Sequence, residues 1–164
     1  MFRFKKLAFL VIVATLLLTA CGDGGESEEV GSSCAPNCTY ADMVICYPQL
    51  GAESDWRTAN TASIKETADE VGAKLIFSDA QQKQENQISA MRACIAQDVD
   101  VIALPPVVED GWDAVLTEAQ NAGIPVIIVD RSVSADSSLY AAHIGSNMVL
   151  EGERAAEEFN KAMP

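Results

Sequence analysis

Histidine is almost missing from this chain: His143 is the only one among 164 residues. A zinc centre or a histidine-based nucleophile relay therefore has little to be built from. Cys34 and Cys38, spaced C-x₃-C, lack a second pair of ligands. In "HIGSN" His143 stands three residues before Ser146, but no orienting acid accompanies them. No G-x-S-x-G elbow is present, no G-x-G-x-x-G follows the first apolar run, and no P-loop ends in G-K-[ST]. Where a phosphate would need bare backbone amides, "GAESDWRTAN" offers Glu53, Asp55 and the bulky Trp56. The chain thus reads as a protein that is not an enzyme and uses neither cofactor nor metal.

Basic residues are also scarce, 11 Lys+Arg against 24 Asp+Glu, for a formal net charge of −13. Such a surface repels nucleic acid, and no basic helix-turn-helix opens the chain, so neither a nucleic-acid partner nor a transcription regulator is expected. Hydrophobic residues at 49% and charged residues at 21% are ordinary for a globular chain of one domain and the start of another.

The first twenty residues stand apart. Arg3, Lys5 and Lys6 precede "LAFLVIVATLLL", an apolar stretch of about twelve residues that is short for a bilayer span, in the order of an export signal. "LTAC", Leu18 to Cys21, resembles the lipobox of bacterial lipoproteins, which implies lipidation of Cys21 and a membrane anchor there. "GDGGESEEVGSS", Gly22 to Ser33, then reads as a flexible linker. The expected division is a signal peptide over 1–20 and a lipidated cysteine with its linker over 21–40. This places the protein in the cell envelope, on the outer face of the cytoplasmic membrane or in the periplasm. Four further cysteines, Cys34, Cys38, Cys46 and Cys94, permit disulfides outside the cytoplasm without fixing a pairing. "CAPNC" could close a small loop, and its spacing is one residue longer than a redox C-x-x-C. Cys46 and Cys94 lie in apolar stretches and read as buried free thiols.

From Ala41 onward, short β-branched runs alternate with amphipathic segments at a period of roughly 25 residues. The runs are "MVICY" (43–47), "KLIFSD" (74–79), "VDVIALPP" (99–106), "PVIIVD" (125–130) and the weaker "LYAAHIG" (139–145). Between them, Ile64, Ala68 and Val71 precede the stop signal Gly72. Ile88, Met91 and Ile95 repeat at helical spacing, and Trp112, Val115, Leu116 and Ala119 do so before Gly123. Apolar strands separated by helices predict βαβ units and an α/β, doubly wound parallel sheet.

In such a sheet ligands collect in the crevice outside the carboxyl ends of the strands. The segments expected there carry acids, amides, arginines and one aromatic ring. A neutral sugar calls for that mixture: carboxylates accept its hydroxyl protons, guanidinium and amide groups donate to its oxygens, and an aromatic plate packs its C–H face. Asp130 and Arg131, adjacent where "PVIIVD" ends, would supply an acceptor and a fork of donors at one place.

"GAESDWRTAN", "DAQQKQENQISAMR", "PPVVEDGWDAVLTEA", "AGIPVIIVDRS" and "SNMVLEG" together resemble the substrate-binding proteins of bacterial ABC sugar transporters, of the broad ribose-binding class. The "DWR", "QQKQENQ" and "PVV..GW" blocks are most similar to the galactofuranose-binding members. The resemblance covers about residues 41–163. It implies the periplasmic-binding-protein-like type I fold, two lobes closing on a monosaccharide, no catalytic step, and delivery to a membrane permease. Carried over residue by residue, it makes Asp130 and Arg131 the main polar contacts, adds Ser54, Trp56 and Arg57 after the first strand, and adds Gln82 after the second. Trp56 is the stacking plate in this reading, whereas Trp112 continues the apolar stripe of its helix and serves as an anchor. Relatives commonly have Asp-Asn where Ser146-Asn147 stands, and Ser146 reads more plainly as a helix cap. Residues 41–145 are expected to form the N-terminal lobe and 146–164 a crossover and the first helix of a second, truncated lobe. The alternative for such a lobe is the sugar-sensing ectodomain of a signalling system.

Overall fold

A computed structural model describes residues 39–163. The expected signal peptide, the lipidation site Cys21, and Cys34 and Cys38 lie outside the described residues. A 3-10 turn, Tyr40–Asp42, leads into β1 (Val44–Gln49). There follow α1 (Asp55–Val71), β2 (Lys74–Asp79), α2 (Gln84–Ala96), β3 (Val101–Leu104), α3 (Asp113–Asn121), β4 (Val126–Val129), β5 (Ala142–Ile144) and α4 (Met148–Ala162). The five strands form one sheet in the order β2-β1-β3-β4-β5. Every pairing is parallel, from Val44 beside Lys74 to Val129 beside Ile144. This is the α/β architecture expected from the alternation of apolar runs and amphipathic segments.

β3 is shorter than the expected 99–106 where proline intervenes, whereas β1 runs on through Pro48 to Gln49. β3 stops at Leu104 because Pro105 and Pro106 have no N–H to donate to a ladder, and Pro125 likewise stands just before β4. Gly72 ends α1 in the left-handed conformation with φ 77°, where a residue without Cβ is at ease.

The two faces of the sheet are covered differently. One face sends Val44, Cys46, Ile102, Leu104, Val126 and Ile128 into a core shared with Met91 and Cys94 of α2 and with Trp112, Val115, Leu116 and Ala119 at α3. Trp112 is fully buried and its indole N–H donates to the Val108 carbonyl at 2.8 Å, the anchoring role expected of it. Cys46 and Cys94 correct an expectation: they are joined as a disulfide, with Cα atoms 6.2 Å apart, and are not free thiols. Their apolar surroundings could not announce this, since pairing depends on α2 laying Cys94 over β1.

On the other face α1 is held down by polar groups. The Tyr47 hydroxyl donates to Asn60 Oδ1 at 3.0 Å. The buried Gln49 amide donates to Asn60 Oδ1 and Thr61 Oγ1 and accepts from the Leu50 N–H. These bonds fix the first turns of α1 against the carboxyl end of β1. Beside α1 an apolar groove of about 520 Å³ remains open, lined by Ile45, Tyr47, Val71, Leu75, Val101 and Ile127.

Candidate functional site

Because all strands run the same way, their carboxyl ends share one edge, and β1 lies where the strand order reverses: β2 pairs on one side of it, β3 on the other. Ser54 caps α1 at this edge, its hydroxyl accepting the Arg57 N–H at 3.2 Å. The first helical turn then sends two consecutive side chains in different directions. Arg57 turns inward, 1% exposed, while Trp56 stays 57% exposed. The Arg57 guanidinium carbon lies 4.7 Å from the Trp56 ring centre, within cation–π range. Trp56 is therefore a presented ring and not a packing anchor.

Asp130 follows β4 with φ 67°, a left-handed conformation uncommon for a residue with a side chain. β5 holds it there. The Asp130 N–H donates to the Ile144 carbonyl at 2.8 Å, and His143 Nε2 lies 3.1 Å from the Asp130 carbonyl oxygen. A side chain at Gly145 would collide with that same carbonyl. In this pose Asp130 Oδ2 accepts from Arg57 Nη2 at 2.7 Å. Arg131, 43% exposed, turns instead to Glu53 Oε1 at 2.5 Å, and Glu53 also lies 3.7 Å from Arg57.

The neighbours Asp130 and Arg131 therefore do not pair with each other. Two acids and two guanidinium groups form an alternating chain, Asp130, Arg57, Glu53, Arg131, whose formal charges cancel. Such a cluster suits the hydroxyls of a polyol, offering carboxylate acceptors and guanidinium donors together. Arg57 is the unusual member: its Nε and Nη1 are buried without a hydrogen-bond partner among the described residues. Buried donors of that kind are rare in folded proteins and costly to leave unpaired.

An open cleft of about 480 Å³ adjoins the cluster, lined by Val107, Asp130, Arg131, Ser146, Asn147 and Met148 among others, within the size range of small-molecule sites. Of the residues singled out in the sequence, Ser54, Trp56, Arg57, Asp130 and Arg131 meet at this edge. Gln82 does not join them. It is exposed beyond β2 with φ 60°, and its N–H is tied to the Leu50 carbonyl at 2.6 Å. The cap of α4 is Asn147, whose Oδ1 accepts the Leu150 N–H at 3.0 Å, and not Ser146, which lines the cleft. Glu53 was missed as a site residue: it precedes the Ser54 cap, outside α1, and its pairing with Arg131 depends on a residue 78 positions away.

A parallel sheet with carboxylates and guanidinium groups gathered outside its carboxyl strand ends has the form of a small-molecule binding lobe. Residues 47–164 match the family described as a periplasmic binding protein domain, and the chain belongs to that family. Over 114 residues, 69% of this chain and 36% of the relative, it is 46% identical to the galactofuranose-binding protein YtfQ of Escherichia coli K12. It is 35% identical to the fructose import binding protein FruE of Bifidobacterium longum, over 99% of this chain and 49% of that one. Among solved structures, a crystal structure of a galactofuranose binding protein superposes with a TM-score of 0.70 at 43% identity, over 73% of this chain and 41% of the other. The chain thus spans half or less of these relatives' lengths. They are solute-binding proteins and not enzymes.

Proposed function

We propose that this chain is the ligand-capturing lobe of a solute-binding lipoprotein of an ABC transporter. It takes a monosaccharide of the galactofuranose or ribose type outside the cell membrane for delivery to a permease, and is tethered through lipidated Cys21. The observation that carries the reading is the acceptor Asp130 and the exposed donor Arg131 lining one open cleft, with Asp130 held by buried Arg57 and the ring of Trp56 presented beside that arginine. Sugar oxygens complete such a set, and the ring offers a plate for the sugar's C–H face. The names of the similar proteins point to the same ligand class. Gln82, three residues beyond β2 and apart from the charged cluster, is in this reading a contact to the sugar from the rim only.

Isothermal calorimetry tests it, on this lobe joined to the second lobe expected from the sequence, with L-arabinose, D-fructose, D-ribose and methyl galactofuranoside as titrants. Saturable binding of one or more of them is expected, weakened by a few kcal/mol in Arg131→Ala because a partner is left unpaired. Absence of binding to all four by the folded protein would overturn the sugar reading. Metabolic labelling with a radioactive fatty acid, comparing the parent with Cys21→Ala, tests the anchor separately.

A further inference from the structure

Gln87 has no place in the site described so far, yet it is fully buried and every polar atom of its amide is used. It enters from the first turns of α2, where β1 and β3 part. The two strands pair at Ile45–Val101 and Cys46–Ile102, and the Gln87 amide lies beyond the end of that ladder. Nε2 donates to the Pro48 carbonyl at 2.8 Å and to the Pro105 carbonyl at 2.7 Å, while Oε1 accepts the Val107 N–H at 2.9 Å. One side chain thus ties the exit of β1 to the exit of β3. Proline contributes no N–H at either exit, so a backbone ladder could not continue the tie in its place.

Those two exits hold the partners of Arg131. Glu53 follows β1 and accepts from Arg131 Nη2; the Val107 carbonyl follows β3 and faces Arg131 Nη1 at 3.5 Å, the long limit of a hydrogen bond. Gln87 grips the N–H side of Val107, and Arg131 faces its carbonyl. We infer that Gln87 is a positioning residue of the binding crevice: by joining the end of β1 to the loop after β3, it sets the gap in which the Arg131 guanidinium is held. The inference rests on the sugar-binding reading for its consequence in affinity, but the positioning itself is independent of any ligand.

The variant Gln87→Met keeps length and removes all three bonds. Gln87→Asn is a milder second variant that keeps an amide too short to span both carbonyls. Val115→Ala, a core truncation in α3, serves as a control for lost stability alone. Without ligand, exchange of the Val107 amide and the ¹⁵N resonance of the Arg131 guanidinium are followed by NMR. Exchange about tenfold faster and a shifted Arg131 resonance are expected in the Gln87 variants and not in the control. With L-arabinose, D-fructose, D-ribose or methyl galactofuranoside, Gln87→Met should weaken binding about tenfold beyond the control, with that extra loss vanishing in an Arg131→Ala background. Unchanged Val107 exchange and Arg131 resonance, or full additivity with Arg131→Ala, overturns the inference. If no sugar binds the parent, the sugar reading falls, and the ligand-free measurements still decide the role of Gln87. Should Gln87→Met fail to fold, the same outcomes are read from Gln87→Asn.

Discussion

Arg57 and Asp130 are 73 residues apart in sequence, and the guanidinium of the first donates to the carboxylate of the second across 2.7 Å. The contact links the first turn of α1 to the end of β4 and sets a fully buried cation against an acid that is only 20% exposed. Fold and binding crevice are joined at this point.

Asp130→Asn keeps the shape of the side chain and removes the charge opposite Arg57. Leaving a buried guanidinium without its near counter-ion should destabilise the protein by about 3 kcal/mol, read from the urea midpoint. Arg131→Ala is the contrast. Its pair with Glu53 is half-exposed, so stability should change by under about 1 kcal/mol while sugar affinity falls. Equal stability losses in the two variants would refute this ranking.

The two tryptophans should separate cleanly. Trp112→Ala removes a ring with no exposed surface and should cost about 3–5 kcal/mol of stability. Trp56→Ala should leave the urea midpoint nearly unmoved and weaken sugar binding by about 1–3 kcal/mol. Sugar-induced fluorescence change should survive replacement of Trp112 by Phe and disappear with Trp56→Phe.

The Cys46–Cys94 bridge closes a loop with a sequence separation of 48, and loop-closure entropy puts its contribution at about 4 kcal/mol. A Cys46→Ala, Cys94→Ala double variant should lower the urea midpoint accordingly, and reductant should shift the parent but not the variant. Labelling of Cys46 or Cys94 by a thiol reagent in the unreduced, unfolded parent would contradict the bridge.

Burial raises the ionisation of Tyr47 above its ordinary value of 10.0, against the opposing influence of nearby Arg57, and Asp130 adds to the shift. A raised value means the folded chain holds the phenolic proton more tightly than the unfolded one. The stability linked to it is fully present below about pH 10 and is lost as pH rises through the folded value. Tyr47→Phe should therefore flatten the alkaline limb of a stability–pH curve, as measured by urea unfolding from pH 8 to 11.

Much of the fold was legible because its signals are local. β-branched runs such as "PVIIVD" and helical stripes such as Trp112, Val115, Leu116 and Ala119 state their environment within a few residues. Several of the residues that meet at the strand ends could be named from sequence, but their partners could not. Asp130 and Arg131 look like a couple in sequence, whereas the backbone turn at φ 67° separates them, one toward Arg57 and the other toward Glu53. Gln87 and the Cys46–Cys94 bridge were hidden for the same reason. Each is defined by what α2 is laid upon, and no periodicity within α2 encodes that.

The bridge also bears on how quickly the chain finds its shape. β1 is flanked by β2 and β3, so it cannot complete its pairing until the chain has run through α1, β2 and α2 to Val101. Such non-local pairing is slow because the intervening chain must be gathered first. A covalent tie between β1 and α2 gathers it in advance, shortening the effective separation between β1 and β3. Oxidised chain diluted from urea should regain its native signal faster than reduced chain, and an export route that oxidises early would spend less time with an unpaired central strand open to aggregation.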